Sequence, residues 1–333
     1  MGCNDDEIHS HVYKAYNTWH TTYDVVHKFI MENKLDKFVE LIDYPFPNGI
    51  MAHQLNYVLT QLNRRKNTYK QSYYCLYNAD SRPSPKTFFE VEKIINKNQF
   101  PQVIQQYSTL TSNIRDISPV LKGFAIYQTN FELRNGLINA LFHSKYLRNH
   151  VVGHGLFIRE DLLNRIGGFS TDFWCEDIYL SFVLRSKKIY PVPLLSLEKA
   201  ETANSLPNLI RQNGVWFKSA FQAVKMFVNV LKKNRFCNIE TLLFLIHQLR
   251  GSVAWLLSPI LVILFFFELF MFVINKAVMY YETCLLVEES QSDHFHSKSI
   301  LCIEGVIAYF ISNLGPLYSI MFNNKKEKYK TVR

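Results

Sequence analysis

The sequence predicts an α/β protein: a mostly parallel sheet with helices on both faces, followed by an interfacial helix and two transmembrane helices. Three observations predict it. Short apolar, aromatic runs of strand type alternate with helix-periodic segments between residues 24 and 109. Turn sequences rich in Pro, Asn, Asp and Gly separate them. The mean hydropathy near zero, −0.06, hides a basic first part up to residue 240 and a far more apolar stretch over 241–323.

Taken in order, residues 24–31 read as a helix and 38–42 (FVELI) as a strand. A turn through Tyr44-Pro45-Phe46-Pro47-Asn48-Gly49 leads to a helix over 51–62. Residues 72–77 (SYYCLY) form a short apolar run that stops at Asn78-Ala79-Asp80-Ser81-Arg82-Pro83, a strand followed by a turn. A helix is expected over 87–96 and a strand over 102–109. A sheet of this kind binds ligands at the carboxyl ends of its strands, where Asp80 stands. Further on, Ala220, Val224, Phe227 and Leu231 recur at helical spacing with Lys218, Lys225, Lys232 and Lys233 nearby. That pattern fits a helix on a membrane face or one packed into a core.

Residues 253–274 hold one charge, Glu268, and 300–321 form a second 22-residue stretch carrying Glu304, Gly305 and Pro316. About 20 apolar residues cross a bilayer core. Lysines flank the outer ends of the pair, whereas Glu282, Glu288, Glu289 and Asp293 lie between the two stretches. The positive-inside rule then puts the soluble domain and both termini in the cytoplasm and that connection outside. The competing reading is a helical hairpin buried in a soluble protein. The expected division is a polar segment 1–20, a soluble domain 21–210, interfacial helices 211–245, a membrane domain 246–323 and a basic tail 324–333.

The chain has 333 residues and a formal charge of +9, enough for one large or two ordinary domains. Apolar residues at 48% exclude a disordered or collagen-like chain. The positive surplus suits anionic headgroups or nucleotide phosphates. No nucleic-acid motif accompanies it, so nucleic acid is not an expected partner. Six scattered cysteines without a C-x-x-C pair argue against zinc and a disulfide framework. Met1-Gly2-Cys3 hints at acylation, but Asp6 stands where a myristoylation sequence wants Ser or Thr. Heavy use of Lys, Asn, Ile, Phe and Tyr is compatible with a bacterial inner membrane.

Three constellations carry chemistry. In Asn78-Ala79-Asp80-Ser81, a carboxylate just past a strand can hold a divalent metal against a diphosphate; Asp before Ser-x-Pro is also an ordinary turn residue. In Gly167-Gly168-Phe169 followed by Glu176-Asp177, a carboxylate opening a helix can take a proton from a sugar hydroxyl, or simply complement the helix dipole. In Arg211-Gln212-Asn213-Gly214-Val215-Trp216, Trp offers a flat face to a sugar ring and Gln a hydrogen bond; Trp also anchors at membrane interfaces.

The order and spacing of these clusters resemble the membrane-bound members of glycosyltransferase family 2, the cellulose-synthase-like and hyaluronan-synthase-like enzymes. Those carry a D-x-D metal motif, a G-G-F then E-D base motif, Q-x-x-R-W at the membrane, and transmembrane helices. Here the counterparts read N-A-D (78–80), G-G-F…E-D (167–177) and Q-N-G-V-W (212–216), and 49–59 (GIMAHQLNYVL) is similar to the family's G-K-x-x-A-L-N segment. The resemblance covers about residues 20–275. It implies a GT-A nucleotide-sugar domain and an inverting transfer from a nucleotide-diphospho-sugar, with UDP the expected carrier, to a saccharide or lipid-linked acceptor, with membrane lipids around it. Asp80 would bind Mg2+ or Mn2+, with Asn78 and Ser81 beside the donor. Asp177 would be the general base with Glu176 next to it, and Gln212, Trp216 and His154 of Val151–Gly155 would border the acceptor or diphosphate. Asn78 departs from the first Asp of D-x-D, and Val215 from the Arg of Q-x-x-R-W. The family's first strand is not visible, which makes a truncated, non-catalytic binding or partner subunit the alternative expectation.

Overall fold

The computed structural model describes residues 22–46, 48–63, 72–97, 100–142, 150–234, 238–264, 266–291, 295 and 297–322. The expected polar N-terminal segment, the Met1-Gly2-Cys3 sequence and the basic tail lie outside these residues. The chain divides into two compact units, one made of residues 1–72 and 163–172, the other of 73–162 and 173–333.

In the first unit, α1 (Thr22–Glu32) and α2 (Met51–Asn63) match the expected helices. The expected strand over 38–42 does not form. Phe38 is 86% exposed, and without a neighbouring strand its backbone groups gain nothing from extension. Asn56 on α2 reaches Phe169: its amide nitrogen donates to the Phe169 carbonyl at 2.7 Å, and its amide oxygen accepts from the Phe169 N–H at 2.8 Å. Gly167 and Gly168 both have positive φ, +83° and +80°. A Cβ at position 168 would lie 2.6 Å from the Asn56 amide oxygen, so Gly168 has both a conformational and a steric reason to be glycine.

The second unit holds a four-stranded sheet: β1 (Tyr73–Leu76), β2 (Val103–Thr109), β3 (Leu156–Arg159) and β4 (Val192–Lys199), in spatial order β1-β3-β2-β4. β3 runs antiparallel to both β1 and β2, while β2 and β4 are parallel. The fold class is α/β as expected. The sheet, however, is mixed: three strands share a direction, yet only one hydrogen-bonded pair is parallel. Every residue of β2 is buried, as befits a central strand covered on both faces.

The helices of this unit are α3 (Pro85–Lys97), α4 (Pro119–Phe131), which continues through a π-helical turn (Glu132–Ile138) into α5 (Asn139–Phe142), then α6 (Glu160–Ile166), α7 (Glu176–Ser186), α8 (Leu206–Asn234), α9 (Ile239–Leu264), α10 (Phe266–Gln291), α11 (Lys298–Ser312) and α12 (Leu314–Phe322). Only the first three residues of α6 belong to this unit. On α8 the core-facing row is Ala223, Met226 and Val230, packed with Phe173, Phe182 and Phe244. Val224, expected on the apolar face, is instead 52% exposed with Phe221 and Val228. The helix therefore has a packed row and a second apolar row left open.

Two helical stretches are long and apolar enough to cross a membrane, Leu269–Glu289 and Lys298–Phe322. The second coincides with expectation. The expected first span over 253–274 is divided between α9 and α10, and the qualifying stretch lies further along.

Candidate active site

β1, β2 and β4 end at the same edge of the sheet, where β3 begins: Leu76 pairs with Leu156, and Thr109 with Lys199. The loop before β3 is held at that edge by two buried glutamines of β2. Gln105 donates to the His154 carbonyl at 2.8 Å and accepts from the Val152 N–H at 3.0 Å. The Gln106 N–H donates to the Gly155 carbonyl at 2.8 Å, while its side-chain amide donates to Thr87 and to the Ser196 carbonyl. Gly155 has φ +59°, and a Cβ there would meet the Gln106 carbonyl at 2.6 Å. On the other side the Val151 N–H donates to Ser181 Oγ, and Ser181 Oγ donates to the Asp177 carbonyl. The loop is thereby clasped between the central strand and α7. A Cβ on Gly153 would sit 3.7 Å from Glu176 Oε1 and 3.8 Å from Asp177 Oδ2.

The turn after β1 is stitched to the end of β4. Arg82 and Lys199 exchange backbone hydrogen bonds, and Arg82 pairs with Glu201 at 3.0 Å. Asp80 Oδ2 accepts from the Glu201 N–H at 3.4 Å. The Asn78 N–H donates to Ser81 Oγ, and Ser81 Oγ donates to Glu198 Oε1 at 3.2 Å. The same Glu198 oxygen lies 2.5 Å from His154 Nδ1. Glu198 is fully buried, and its Oε2 has no hydrogen-bond partner among the described residues.

Charge is concentrated here. Burial pushes the His154 imidazolium toward losing its proton. The bond to Glu198 and the charges of Glu198, Glu132 and Asp177 outweigh that, and hold the imidazole above the ordinary histidine range. Desolvation, then the charge of Asp177, pushes Glu176 up to about 8. Burial also raises the Asp177 carboxyl, against the opposing pull of the Ile178 N–H, His154 and the Gly153 N–H. Asp177 Oδ1 accepts from the Ile178 N–H at 2.8 Å, which fixes the carboxylate at the first turn of α7. The neighbourhood therefore combines a carboxylate of raised proton affinity, a neighbouring acid pushed up to about 8 and a histidine raised above its ordinary range, groups of the kind that proton transfer uses. Glu132 sits on the π-helical turn, an irregularity frequent at functional sites.

Asn78, Asp80, Ser81, His154, Glu176 and Asp177 thus gather at one edge of the sheet, linked through Ser81, Glu198 and His154. Gln212 and Trp216 are placed differently. Trp216 packs against the apolar cluster of Leu121, Phe124, Leu209 and Ala308. Gln212 is 3% exposed, and its side-chain oxygen has no hydrogen-bond partner among the described residues. α8 does pass the lead-in to α7, since the Trp174 N–H donates to Gln222 Oε1 at 3.0 Å. Sequence reasoning missed Glu198, Glu132 and the two glutamines of β2. Glu198 carried no local signal: it lies inside β4, whereas Asp80 stands in the turn past β1.

Among the described residues no group of three His, Cys, Asp or Glu side chains is arranged to hold a metal ion. Asp80 supplies one carboxylate at the turn past β1, a ligand type that Mg2+ uses. That ion is bound by one or two carboxylates and completes its shell from substrate phosphates and water.

No family model matches this chain, and no curated protein is similar to it. Among solved structures, it is similar to the mannosyltransferase PcManGT from Pyrobaculum calidifontis, in complex with GDP-Man and Mn2+. Identity is 14% and the TM-score 0.46, over 96% of this chain and 84% of that one. The similarity is too distant to assign a role to any residue.

Proposed function

We propose that the protein is a membrane-attached glycosyltransferase that moves a sugar from a nucleotide-diphospho-sugar to a saccharide or lipid-linked acceptor with inversion. UDP is the carrier we expect. The observation that carries this reading is the Ser81–Glu198–His154 chain. It links the Asp80 turn to the Asp177 end of α7 at the strand ends where α/β sheets bind ligands. Asp177 is the general base: its raised affinity for a proton suits it to accept one from an acceptor hydroxyl, and the Ile178 N–H keeps it oriented. Glu176 stays protonated at neutral pH, so the pair does not carry two adjacent buried charges. His154, whose proton affinity Glu198 raises, would when protonated lend positive charge to the departing diphosphate. Asp80 would hold Mg2+ or Mn2+, which neutralises the departing diphosphate when bound. Asn78 and Ser81 lie on the donor side of the same turn.

The test is transfer or hydrolysis of a panel of UDP- and GDP-sugars by the purified protein with Mg2+ or Mn2+. Asp177→Asn is expected to lower kcat by about 10²–10⁴-fold with donor binding retained. Unchanged turnover would remove Asp177 from the mechanism. Absence of both donor binding and turnover in the wild type would leave the non-catalytic partner subunit as the better reading.

A further inference from the structure

The acidic end of α10, expected on the far side of a bilayer, lies along the helical layer that covers the sheet, and Phe295 just beyond it does too. α4 backs directly onto the sheet, its Thr129 hydroxyl accepting from the Leu110 N–H just past β2. α11 lies on α4 at backbone contact: a Cβ on Gly123 would fall 2.1 Å from the Glu304 carbonyl carbon. α10 is tied to the same layer. Asn130 donates to Thr283 Oγ1 at 2.7 Å, and Arg134 of the π-helical turn pairs with Glu282 at 2.5 Å. Past the end of α10, Phe295 packs in one apolar cluster with Ile114, which follows β2 by five residues. A hydrocarbon core is about 30 Å thick and cannot separate segments in direct contact.

The opposite faces of these helices are apolar and open. Phe270, Ile274 and Val278 stand on α10, Ile303 and Ile307 on α11 and Met321 on α12, each 44–75% exposed. They belong to the stretches Leu269–Glu289 and Lys298–Phe322, which are long and apolar enough to cross a membrane. Basic groups frame the apolar segments in sequence, Lys232 and Lys233 before α9 and four lysines after α12. That arrangement complements anionic headgroups.

We infer that α9–α12 seat the protein in a single leaflet, apolar face down, with the end of α10, Phe295 and Ser297 on the same side of the membrane as the sheet. A lipid surface is the partner, held as interfacial helices hold it rather than by two crossings. The inference does not depend on the sugar-transfer reading.

The test places thiols at two exposed positions, Ser297→Cys just before α11 and Lys93→Cys on α3. Sealed membrane vesicles of one orientation are treated with a membrane-impermeant maleimide, and labelled peptides are read by mass spectrometry. Both positions are expected to label together in intact vesicles. Labelling of position 297 only after permeabilisation, or only in vesicles of the opposite orientation, would overturn the single-leaflet seat. The apolar face is tested by flotation with phosphatidylglycerol vesicles. The Ile303→Asp/Ile307→Asp variant is expected to float at least ten-fold less than the wild type while still binding nucleotide-sugar; equal flotation, or a wild type that stays in the soluble fraction, would refute the lipid partner.

Discussion

Replacing Glu198 by Gln removes one charge from the centre of the site while conserving its shape. Glu198 is fully buried; one of its oxygens accepts from Ser81 and lies 2.5 Å from His154 Nδ1, so the substitution keeps an acceptor for Ser81 and removes the charge that favours the imidazolium. Were His154 forced to stay cationic, the cost would approach the about 3–5 kcal/mol of a broken buried pair. His154 can shed its proton instead, so the loss falls toward that of a charge-assisted hydrogen bond, about 1.5–3 kcal/mol. The direction with pH follows from the wild type. Its imidazole is raised above the unfolded value of about 6.5, so the stability it contributes is complete below that value and fades as pH climbs through the folded one. Urea unfolding of wild type and Glu198→Gln should therefore differ most near pH 5.5 and converge in the alkaline range. The His154 ring resonances of the variant should titrate lower, since burial, the largest influence on this group, then acts with less opposition. Equal unfolding midpoints at pH 5.5 together with an unshifted His154 titration would refute the reasoning.

The remaining predictions are brief. The rate of sugar transfer should rise with pH as Asp177, raised by burial, ionises, and fall as His154 loses its proton; Asp177→Asn should abolish the acid limb of that profile and leave the alkaline one. Trp216→Ala should destabilise the fold by about 2 kcal/mol, less than the 3–5 of a wholly buried ring, because Trp216 is only partly buried in its apolar cluster. Neither its donor nor its acceptor KM should change, whereas a rise in either would return Trp216 to the binding site. Asn56→Ala removes both bonds to Phe169 and should cost about 2 kcal/mol in the first unit, seen as lost hydrogen-exchange protection at the Phe169 amide.

Local pattern made some of this architecture legible. The helices α1, α2 and α3 and the strands β1 and β2 fall where periodicity and turn residues put them. The antiparallel β3 and the strand β4 were not anticipated, because the runs Leu156–Arg159 and Val192–Lys199 gain their strand character from neighbours distant in sequence. FVELI at 38–42 shows the converse: strand-like residues without a partner stay irregular. For the site, Asp80, His154 and Asp177 were readable as acids and a histidine beside turns and a helix start. Glu198 was not, since its complete burial and its bond to His154 exist only after the strands assemble. Hydropathy likewise read Glu282 as a loop residue, whereas it lies on α10 and pairs with Arg134, which stands far away in the sequence.

The clamp between Asn56 and the Gly167-Gly168-Phe169 turn joins two pieces of chain 113 positions apart. The unit they share is interrupted by residues 73–162 of its neighbour. During synthesis, at about 5–20 residues per second, α2 waits roughly 5–20 s after leaving the ribosome before the turn it must grip has been made. For that interval its apolar face has no permanent cover, which makes the nascent chain a natural client for chaperones.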